Sequence, residues 1–275
     1  MKVLRVGLCG VGNVGGAVLK LLKESSSLLE QQGGFSFELV QVGARKGRSV
    51  VPYDDVDVTT DLMEVANNPD VDIFVELIGG TEFADELVQT AIRNGKQIVT
   101  ANKALLAIKG DEIFQLAKQN NVQIGFEASV AGGTPVIKAL REGLVANKVE
   151  WFAGILNGTS NYILTEMSVE KTEFSLALSK AQKLGLAEAD PTMDIDGTDA
   201  AQKASILAAL AFHVPFNFEA VNYEGIDEVD VEDLKYAEEL GYNIKHIAFG
   251  RLLDNSVFVS AYPTLVPHEV ILSQV

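Results

Sequence analysis

The sequence predicts an α/β fold in which a doubly wound parallel sheet is followed by a second, α+β domain. Up to about residue 128, apolar strand-like runs alternate with amphipathic helical segments, which is typical of a parallel sheet flanked by helices. Beyond that point helical segments follow one another, and two alternating strands come last. We therefore predict domains at residues 1–128 and 129–275.

The individual elements follow from hydrophobic periodicity and from the glycines that interrupt it. In the first domain we predict strands at 3–9, 37–42, 73–78, 97–100 and 123–127, and helices at 13–29, 82–94 and 103–119. In the second we predict a helix ending near Arg141, a strand at 149–156, helices at 159–168, 172–184 and 198–212, and strands at 244–252 and 256–262.

Charge and composition disfavour several classes of partner. The net charge is −16, from 38 acidic and 22 basic residues, and such a chain is repelled by nucleic acids and by anionic membrane surfaces. No apolar run approaches the ~18 residues that a membrane span needs. Cys9 is the only cysteine, so no intrachain disulfide can form, and we expect a cytoplasmic protein in which this thiol packs in the core.

A glycine-rich motif lies between the first strand and the first helix. It consists of Gly10, Val11, Gly12, Asn13, Val14 and Gly15. The first glycine permits a tight turn, the second lets the backbone approach a pyrophosphate, and the third lets the helix pack on the strand. The free N–H groups of the helix N-terminus bind phosphate. The motif therefore predicts a Rossmann domain that binds a dinucleotide, and an ordinary glycine turn is the alternative.

The residues after the second strand indicate which dinucleotide is bound. Sites for NAD usually place Asp or Glu here, whereas this sequence has Arg45, Lys46 and Arg48 and no acid. Such cations suit a 2′-phosphate, so NADP(H) is the preferred cofactor and NAD(H) remains possible. A solvated basic loop is the alternative. We also predict cofactor contacts at Gly79, Gly80, Asn102 and Lys103.

Two lysines are candidate catalytic groups. Lys103 follows a predicted parallel strand, at the edge where open α/β sheets bind ligands. Lys203 lies four residues after Asp199, so the two share one face of the predicted helix, and an apolar stripe continues from them. Partial desolvation would prepare Lys203 for proton transfer, and a surface ion pair is the alternative. None of His213, His246 and His268 lies in a catalytic motif.

An acidic segment precedes the Asp199–Lys203 helix. It contains Glu188, Asp190, Asp194 and Asp196. These carboxylates could bind a substrate ammonium group, bind a metal or form a polar loop, although the calcium-loop pattern is not met.

Several of these stretches together resemble the homoserine dehydrogenase family. The resemblance runs from residue 7 to about 248 and is carried by GLCGVGNVGGAV, ELIGG, VTANKALLA, FEASVAGGTPVI, GILNGTSNYIL, AQKLGLAEADPTMDIDGTDAAQKASILA and YAEELGYNIKHIA. It implies the NAD(P)H-dependent interconversion of L-aspartate 4-semialdehyde and L-homoserine, a step of threonine, methionine and isoleucine synthesis.

The resemblance also implies roles for individual residues. Lys203 and Lys103 would be the catalytic pair, with Lys203 as the proton donor to the aldehyde oxygen. Substrate contacts would come from Glu188, Asp199, Asp194, Gly158 and Thr159.

The resemblance further implies a bound sodium ion and a homodimer that pairs sheets of the second domain. The backbone carbonyls of Glu127, Val130, Gly132 and Thr134 would hold the ion. Members of the family usually continue with a glycine-rich segment and a helix that return to the nucleotide domain, and this sequence ends at Val275 before such a segment.

Two other functions are compatible with parts of the sequence. Another Rossmann oxidoreductase acting on a semialdehyde or a sugar would explain Gly10–Gly15 but not the Glu188–Lys203 stretch. A redox sensor without enzymatic activity would normally add a DNA-binding module or a basic face, which a net charge of −16 does not indicate.

Overall fold

The computed structural model describes residues 2–45, 55–254 and 256–275 and divides into two compact units, Met1–Pro135 and Val136–Val275. The predicted boundary at residue 128 precedes this division by seven residues (135 − 128). The glycine-rich segment before Pro135 therefore belongs to the first unit.

The first unit contains a six-stranded parallel sheet. Its strands are β1 (Lys2–Cys9), β2 (Phe35–Gly43), β3 (Asp57–Thr59), β4 (Ile73–Glu76), β5 (Gln97–Thr100) and β6 (Ile124–Gly125). Their order is β3-β2-β1-β4-β5-β6, with every neighbouring pair parallel. The chain changes direction between β1 and β4, and open parallel sheets bind ligands at such a point. The predicted Rossmann fold is confirmed.

Among the described residues, the helices of this unit are α1 (Asn13–Glu24), α2 (Ser26–Gly33), α3 (Leu62–Asn67), α4 (Glu82–Arg93) and α5 (Lys103–Gln119). The single helix predicted at 13–29 is wrong, because the chain breaks at Ser25 into α1 and α2. Serine hydroxyls compete for backbone hydrogen bonds, so the run Ser25–Ser27 is a weak point in a helix. The core of the unit forms where α1 packs Leu19 against Leu8, Val42 and Val75 of the sheet.

The second unit contains a mixed four-stranded sheet in the order β7-β9-β10-β8. Its strands are β7 (Trp151–Gly154), β8 (Asn222–Tyr223), β9 (Tyr242–Leu252) and β10 (Val257–Pro267). β9 pairs antiparallel with β7 and β10, and β8 joins β10 in parallel. β10 extends beyond the predicted end at residue 262 through Pro263 and Pro267. Because β8 pairs only with Ser260 and Ala261, β10 is an edge strand beyond them and tolerates proline there.

The helices of this unit are α6 (Val136–Lys138), α7 (Gly158–Glu170), α8 (Phe174–Lys183), α9 (Thr192–Ile195), α10 (Thr198–Phe212) and α11 (Val231–Glu239). A short π-helical turn at Ala139–Gly143 continues α6. α10 is rich in alanine and buried along most of its length, so it packs closely against Ala248, Val259 and Ala261 of the sheet. Within the described parts of the chain, no helix has the length and apolar character needed to cross a membrane.

Candidate active site

The glycine turn between β1 and α1 has the backbone geometry that its sequence predicts. Gly10 has a φ of 99°, and a Cβ atom there would lie 2.4 Å from the carbonyl oxygen of Leu77. A Cβ at Gly15 would lie 1.9 Å from the carbonyl oxygen of Gly10. Gly12 faces open space at the N-terminus of α1, where no side chain caps the helix. The turn therefore leaves the helix N-terminus accessible to a phosphate.

A cleft of about 300 Å³ lies beside this turn, within the first unit. It is lined by Gly10, Val11, Gly12, Gly43, Ala44, Arg45, Leu62, Leu77 and Ile78. Arg45 follows β2, where a dinucleotide ribose binds in this fold, and the described lining contains no carboxylate. Lys46 and Arg48, the other predicted cations, lie outside the described residues.

A second group of predicted cofactor residues meets at the carboxyl ends of β4 and β5. Gly79 and Gly80 form a left-handed turn, with φ of 71° and 75°. Asn102 caps α5 by accepting from the Leu105 N–H at 3.1 Å, and its Nδ2 donates to the Gly80 carbonyl at 2.7 Å. Lys103 is the first residue of α5. The structure therefore joins the Gly79–Gly80 turn to the start of the Lys103 helix.

Glu76, which was not predicted as a site residue, lies beneath that junction. Its side chain is fully buried at the end of β4. Oε1 accepts from the Ile78 N–H at 2.9 Å and the Gly79 N–H at 3.3 Å, and Oε2 accepts from the Thr100 hydroxyl at 2.6 Å. The available signal was a carboxylate ending an otherwise apolar strand, Ile73–Glu76, since buried acids require partners.

In the second unit, Lys203 forms an ion pair with Asp199 on α10. Lys203 Nζ lies 2.6 Å from Asp199 Oδ2 and donates to the Leu156 carbonyl at 2.8 Å. The side chains are only 18% and 7% exposed, respectively. The pair is therefore largely removed from water, unlike a solvated surface ion pair.

Asn157, also absent from the prediction, connects this pair to the acidic segment. Its Nδ2 donates to Asp199 Oδ2 at 2.8 Å and to Asp194 Oδ1 at 2.7 Å. Its Oδ1 caps α7 by accepting from the Ser160 N–H at 2.8 Å, and the Ser160 hydroxyl donates to the Asp194 carbonyl at 2.6 Å. Asn157 thus fixes both carboxylates relative to α7.

The other predicted substrate residues lie at the edge of this cluster. Gly158 is the first residue of α7, and the Thr159 hydroxyl donates to the Leu186 carbonyl at 2.9 Å. Glu188 is exposed, and its backbone carbonyl accepts from Gln182. Its carboxylate makes no hydrogen bond or ion pair with another described residue. The structure therefore brings Asp194 and Asp199 together but does not join Glu188 to them.

The acidic segment does not form a metal site in the described parts of the chain, where no group of three or more His, Cys, Asp or Glu side chains could hold a metal ion. Its carboxylates instead make separate hydrogen bonds. Asp190 accepts from the Thr192 hydroxyl at 2.6 Å, which lowers the pKa of its carboxyl group, and Asp196 accepts from the Thr198 N–H at 2.8 Å.

The predicted sodium-binding residues lie in irregular backbone at the end of the first unit. Glu127 begins a 3₁₀ turn, Val130 is fully buried, and Ala131 and Gly132 are both left-handed, with φ of 60° and 54°. The Thr134 N–H donates to the Ala131 carbonyl at 3.0 Å. Oxygen atoms are the ligands that hard cations prefer, so a loop of this kind fits such an ion in donor type.

Comparisons with known proteins agree with this division of the chain. Residues 10–127 match the family model described as "Homoserine dehydrogenase, NAD binding domain", and residues 135–275 match the model "Homoserine dehydrogenase". A homoserine dehydrogenase of Pseudomonas aeruginosa is 46% identical over 275 residues, covering 100% of this chain and 63% of the relative. One of Bacillus subtilis is 41% identical, covering 100% of this chain and 64% of the relative. The chain thus spans a little under two thirds of these relatives.

Solved structures give the same result. The crystal structure of a homoserine dehydrogenase from Thiobacillus denitrificans matches with a TM-score of 0.96 and 47% identity, covering 100% of this chain and 64% of that one. A hyperthermophilic archaeal homoserine dehydrogenase in complex with NADPH matches with a TM-score of 0.80 and 26% identity, covering 98% of this chain and 84% of that one. The chain belongs to the homoserine dehydrogenase family.

Proposed function

We propose that this protein interconverts L-aspartate 4-semialdehyde and L-homoserine with a nicotinamide dinucleotide, a step in threonine, methionine and isoleucine synthesis. The observation that carries the proposal is the buried pair Asp199–Lys203, in a chain whose other unit has a dinucleotide-binding fold. The glycine turn alone would fit many oxidoreductases of other families.

Lys203 is the proposed proton donor. An ammonium group has three N–H donors, and the Asp199 carboxylate and the Leu156 carbonyl accept two of them. One donor remains without a described protein partner, so it can bind the aldehyde oxygen. A reduced nicotinamide, when bound, would supply the hydride that the carbonyl carbon needs. Lys203 delivers the proton that completes the alcohol, and in the reverse reaction it takes that proton back.

Asp199 keeps the Lys203 amine in place for this transfer. Its Oδ2 is held by both Lys203 and Asn157, so the amine cannot rotate freely away from its position. Lys103 is the second proposed catalytic lysine, at the carboxyl edge of the first sheet.

The substrate is proposed to bind between the acidic segment and Asp199. Glu188 and Asp199 would hold the amino and hydroxyl ends of the substrate, with Asp194 nearby. Gly158 and Thr159 would make further contacts. The exposed Glu188 carboxylate is suited to this role, because no described protein group already occupies it.

The proposed cofactor is NADP(H) in preference to NAD(H). Gly10–Gly15 would bind the pyrophosphate, and Arg45 with Lys46 would bind the 2′-phosphate. The contacts to the nicotinamide half would come from Gly79, Gly80, Asn102 and Lys103. Support comes from Arg45 in a cleft whose described lining lacks a carboxylate, and from the NADPH complex of an archaeal relative. A sodium ion would be held by backbone carbonyls of Glu127, Val130, Gly132 and Thr134.

The protein is further proposed to form a homodimer in the cytoplasm, through the second sheet. Trp151, Phe249 and Phe258 lie in contact on neighbouring strands, with ring centroids 6.5 Å and 6.3 Å apart. Trp151 is 61% exposed. Exposed aromatic patches of this kind are typical of protein interfaces.

The test is the oxidation of L-homoserine at alkaline pH, followed by the absorbance of the reduced nicotinamide, with NADP and NAD in parallel. We expect turnover with both and a higher kcat/KM with NADP. Measurable NADPH binding without turnover of L-homoserine would contradict the proposed substrate, and a higher kcat/KM with NAD would contradict the proposed cofactor preference.

A further inference from the structure

Glu76 is a buried carboxylate without a basic partner. It is fully inaccessible to solvent, and the described residues place no lysine or arginine in an ion pair with it. Burying a charge in this way is costly unless hydrogen bonds compensate it. A residue that only packed against the sheet would be apolar, so the position of this carboxylate requires an explanation.

In each hydrogen bond that the described residues make with the Glu76 carboxylate, the partner is the donor. The backbone N–H groups of Ile78 and Gly79 can only donate. The Thr100 hydroxyl donates to Oε2 and accepts the Asn102 N–H at 3.0 Å. The described partners therefore supply a donor to each of the two oxygen atoms of this side chain.

These bonds close into a ring that spans two turns. From Glu76 the ring passes through Thr100 to Asn102, whose amide donates to the Gly80 carbonyl, and it returns through Gly79. One side of the ring is the left-handed turn after β4, and the other is the cap of α5. Both turns are thus fixed relative to each other by one side chain.

We propose that Glu76 is a positioning residue, which holds the Gly79–Gly80 turn and the start of α5 in the arrangement that receives the nicotinamide half of the cofactor. This rests on the cofactor contacts assigned above to Gly79, Gly80 and Asn102. Glu76 is not in the lining of the cleft beside Gly10 and Arg45, where the adenosine half is proposed to bind, but it accepts from the N–H of Ile78, which is. Its other bonds lead to Gly79 and, through Thr100, to Asn102, so its loss is expected to affect the nicotinamide half more than the adenosine half.

Glu76→Gln removes the charge while keeping nearly the same shape. The amide oxygen can accept from Ile78 and Gly79, but the amide nitrogen then faces Thr100 as a second donor. Thr100→Val removes the hydroxyl that links Glu76 to Asn102 and leaves the carboxylate in place. Glu86→Gln is the matched control, since Glu86 is exposed on α4 in the same unit.

The experiment measures the Kd of NADPH, by nucleotide fluorescence, and the Kd of adenosine 2′,5′-bisphosphate, which lacks the nicotinamide half. These are measured on each folded variant well below its Tm. We expect Glu76→Gln to weaken NADPH binding about tenfold and Thr100→Val somewhat less, with a clearly smaller change in the bisphosphate Kd in both. Glu86→Gln should alter neither Kd.

Two results would overturn the proposal. One is an NADPH Kd within twofold of the parent in both variants, which would make Glu76 a stabilising residue only. The other is an equal loss of NADPH and bisphosphate binding, which would indicate general damage to the unit. Both readouts are binding constants, so they are independent of whether the protein turns over L-homoserine.

Discussion

Each compact unit contains one buried carboxylate among the described residues, and the two are compensated in different ways. Asp199 in the second unit pairs with Lys203, whose side chain remains 18% exposed. Glu76 in the first unit accepts only from neutral donors and is fully buried. The Lys203 ammonium group carries a proton that can be transferred. The backbone N–H groups around Glu76 fix the conformation of the turn and have no proton to transfer.

This contrast separates chemistry from positioning in the molecule. The Asp199–Lys203 pair has the elements of a general acid, namely an ammonium group, an orienting carboxylate and partial exposure to solvent. The Glu76 ring has only a structural role towards its two turns. Changes in the first cluster should therefore act on kcat, and changes in the second should act on cofactor affinity.

The largest expected effect is that of Lys203→Met. It removes the proposed proton donor and should lower kcat by about 10²- to 10⁴-fold, the usual contribution of general acid–base catalysis. The Kd of NADPH, measured by fluorescence, should stay within twofold of the parent. Lys235→Met on exposed α11 is the matched control. Retention of the parent kcat by Lys203→Met would exclude this lysine as the proton donor.

The next effect concerns Asn157, which orients the carboxylates of Asp194 and Asp199. Asn157→Ala leaves Asp199 and Asp194 without its amide donor, so we expect about a 10- to 100-fold lower kcat and a loss of about 1–3 kcal/mol in the free energy of unfolding. Asn157→Asp keeps the α7 cap but places a third carboxylate beside those of Asp194 and Asp199. It should therefore lower kcat more than Asn157→Ala does. Equal kcat values for parent and both variants would show that Asp199 needs no such orientation.

A smaller effect is expected at Arg45, in the first unit. Arg45→Ser removes a cation from the cleft, which should raise the KM for NADP about tenfold and leave the KM for NAD unchanged, because only NADP carries the 2′-phosphate. Steady-state kinetics with both cofactors provide the measurement. A parallel rise in both KM values would assign Arg45 to a general role in the cleft.

The smallest effect tests how far the charge of Asp199 reaches into the core of its unit. His246 is buried on β9, where its Nε2 lies 2.9 Å from the Glu224 carbonyl oxygen. Burial lowers the pKa of His246, and the backbone carbonyls and the charge of Asp199 partly oppose that shift. The unfolded chain then binds a proton more readily than the folded chain, so stability falls as the pH drops below about 6.5.

Urea unfolding between pH 8 and pH 5 measures this loss, with a slope of at most about 1.4 kcal/mol per pH unit from one group. His246→Gln should have a smaller slope over the same range. Asp199→Asn should extend the loss to lower pH, because the opposing charge is removed. Identical slopes for the parent and His246→Gln would exclude His246 as the titrating group.

The parts of the fold that the sequence predicts well are those with a long periodic signal or a distinctive turn. The predicted limits of α5 and α10 match Lys103–Gln119 and Thr198–Phe212. The helix α11 was missed because only Leu234 and Ala237 of it are buried, too few for a periodic pattern, although Asp230 and Asp233 form a capping box.

In the candidate site, too, the sequence predicts the contacts that are local along the chain. Asp199 and Lys203 are i and i+4 on one helix, so their proximity can be read from the sequence. Glu76 and Thr100 are 24 residues apart, and Asn157 and Asp199 are 42 residues apart. Contacts of that range depend on which strands are neighbours and on how loops end, which residue types and spacing do not specify.

The burial of Cys9 has a practical consequence for studying the protein. This single thiol lies at the end of β1, its side chain is inaccessible, and burial, with the nearby charge of Glu76, raises its pKa well above the usual range. A thiol reagent reacts with the thiolate and so modifies Cys9 only when the first unit opens. The rate of labelling therefore reports the opening of the cofactor-binding unit alone, and the second unit, which contains no cysteine, contributes no signal of its own.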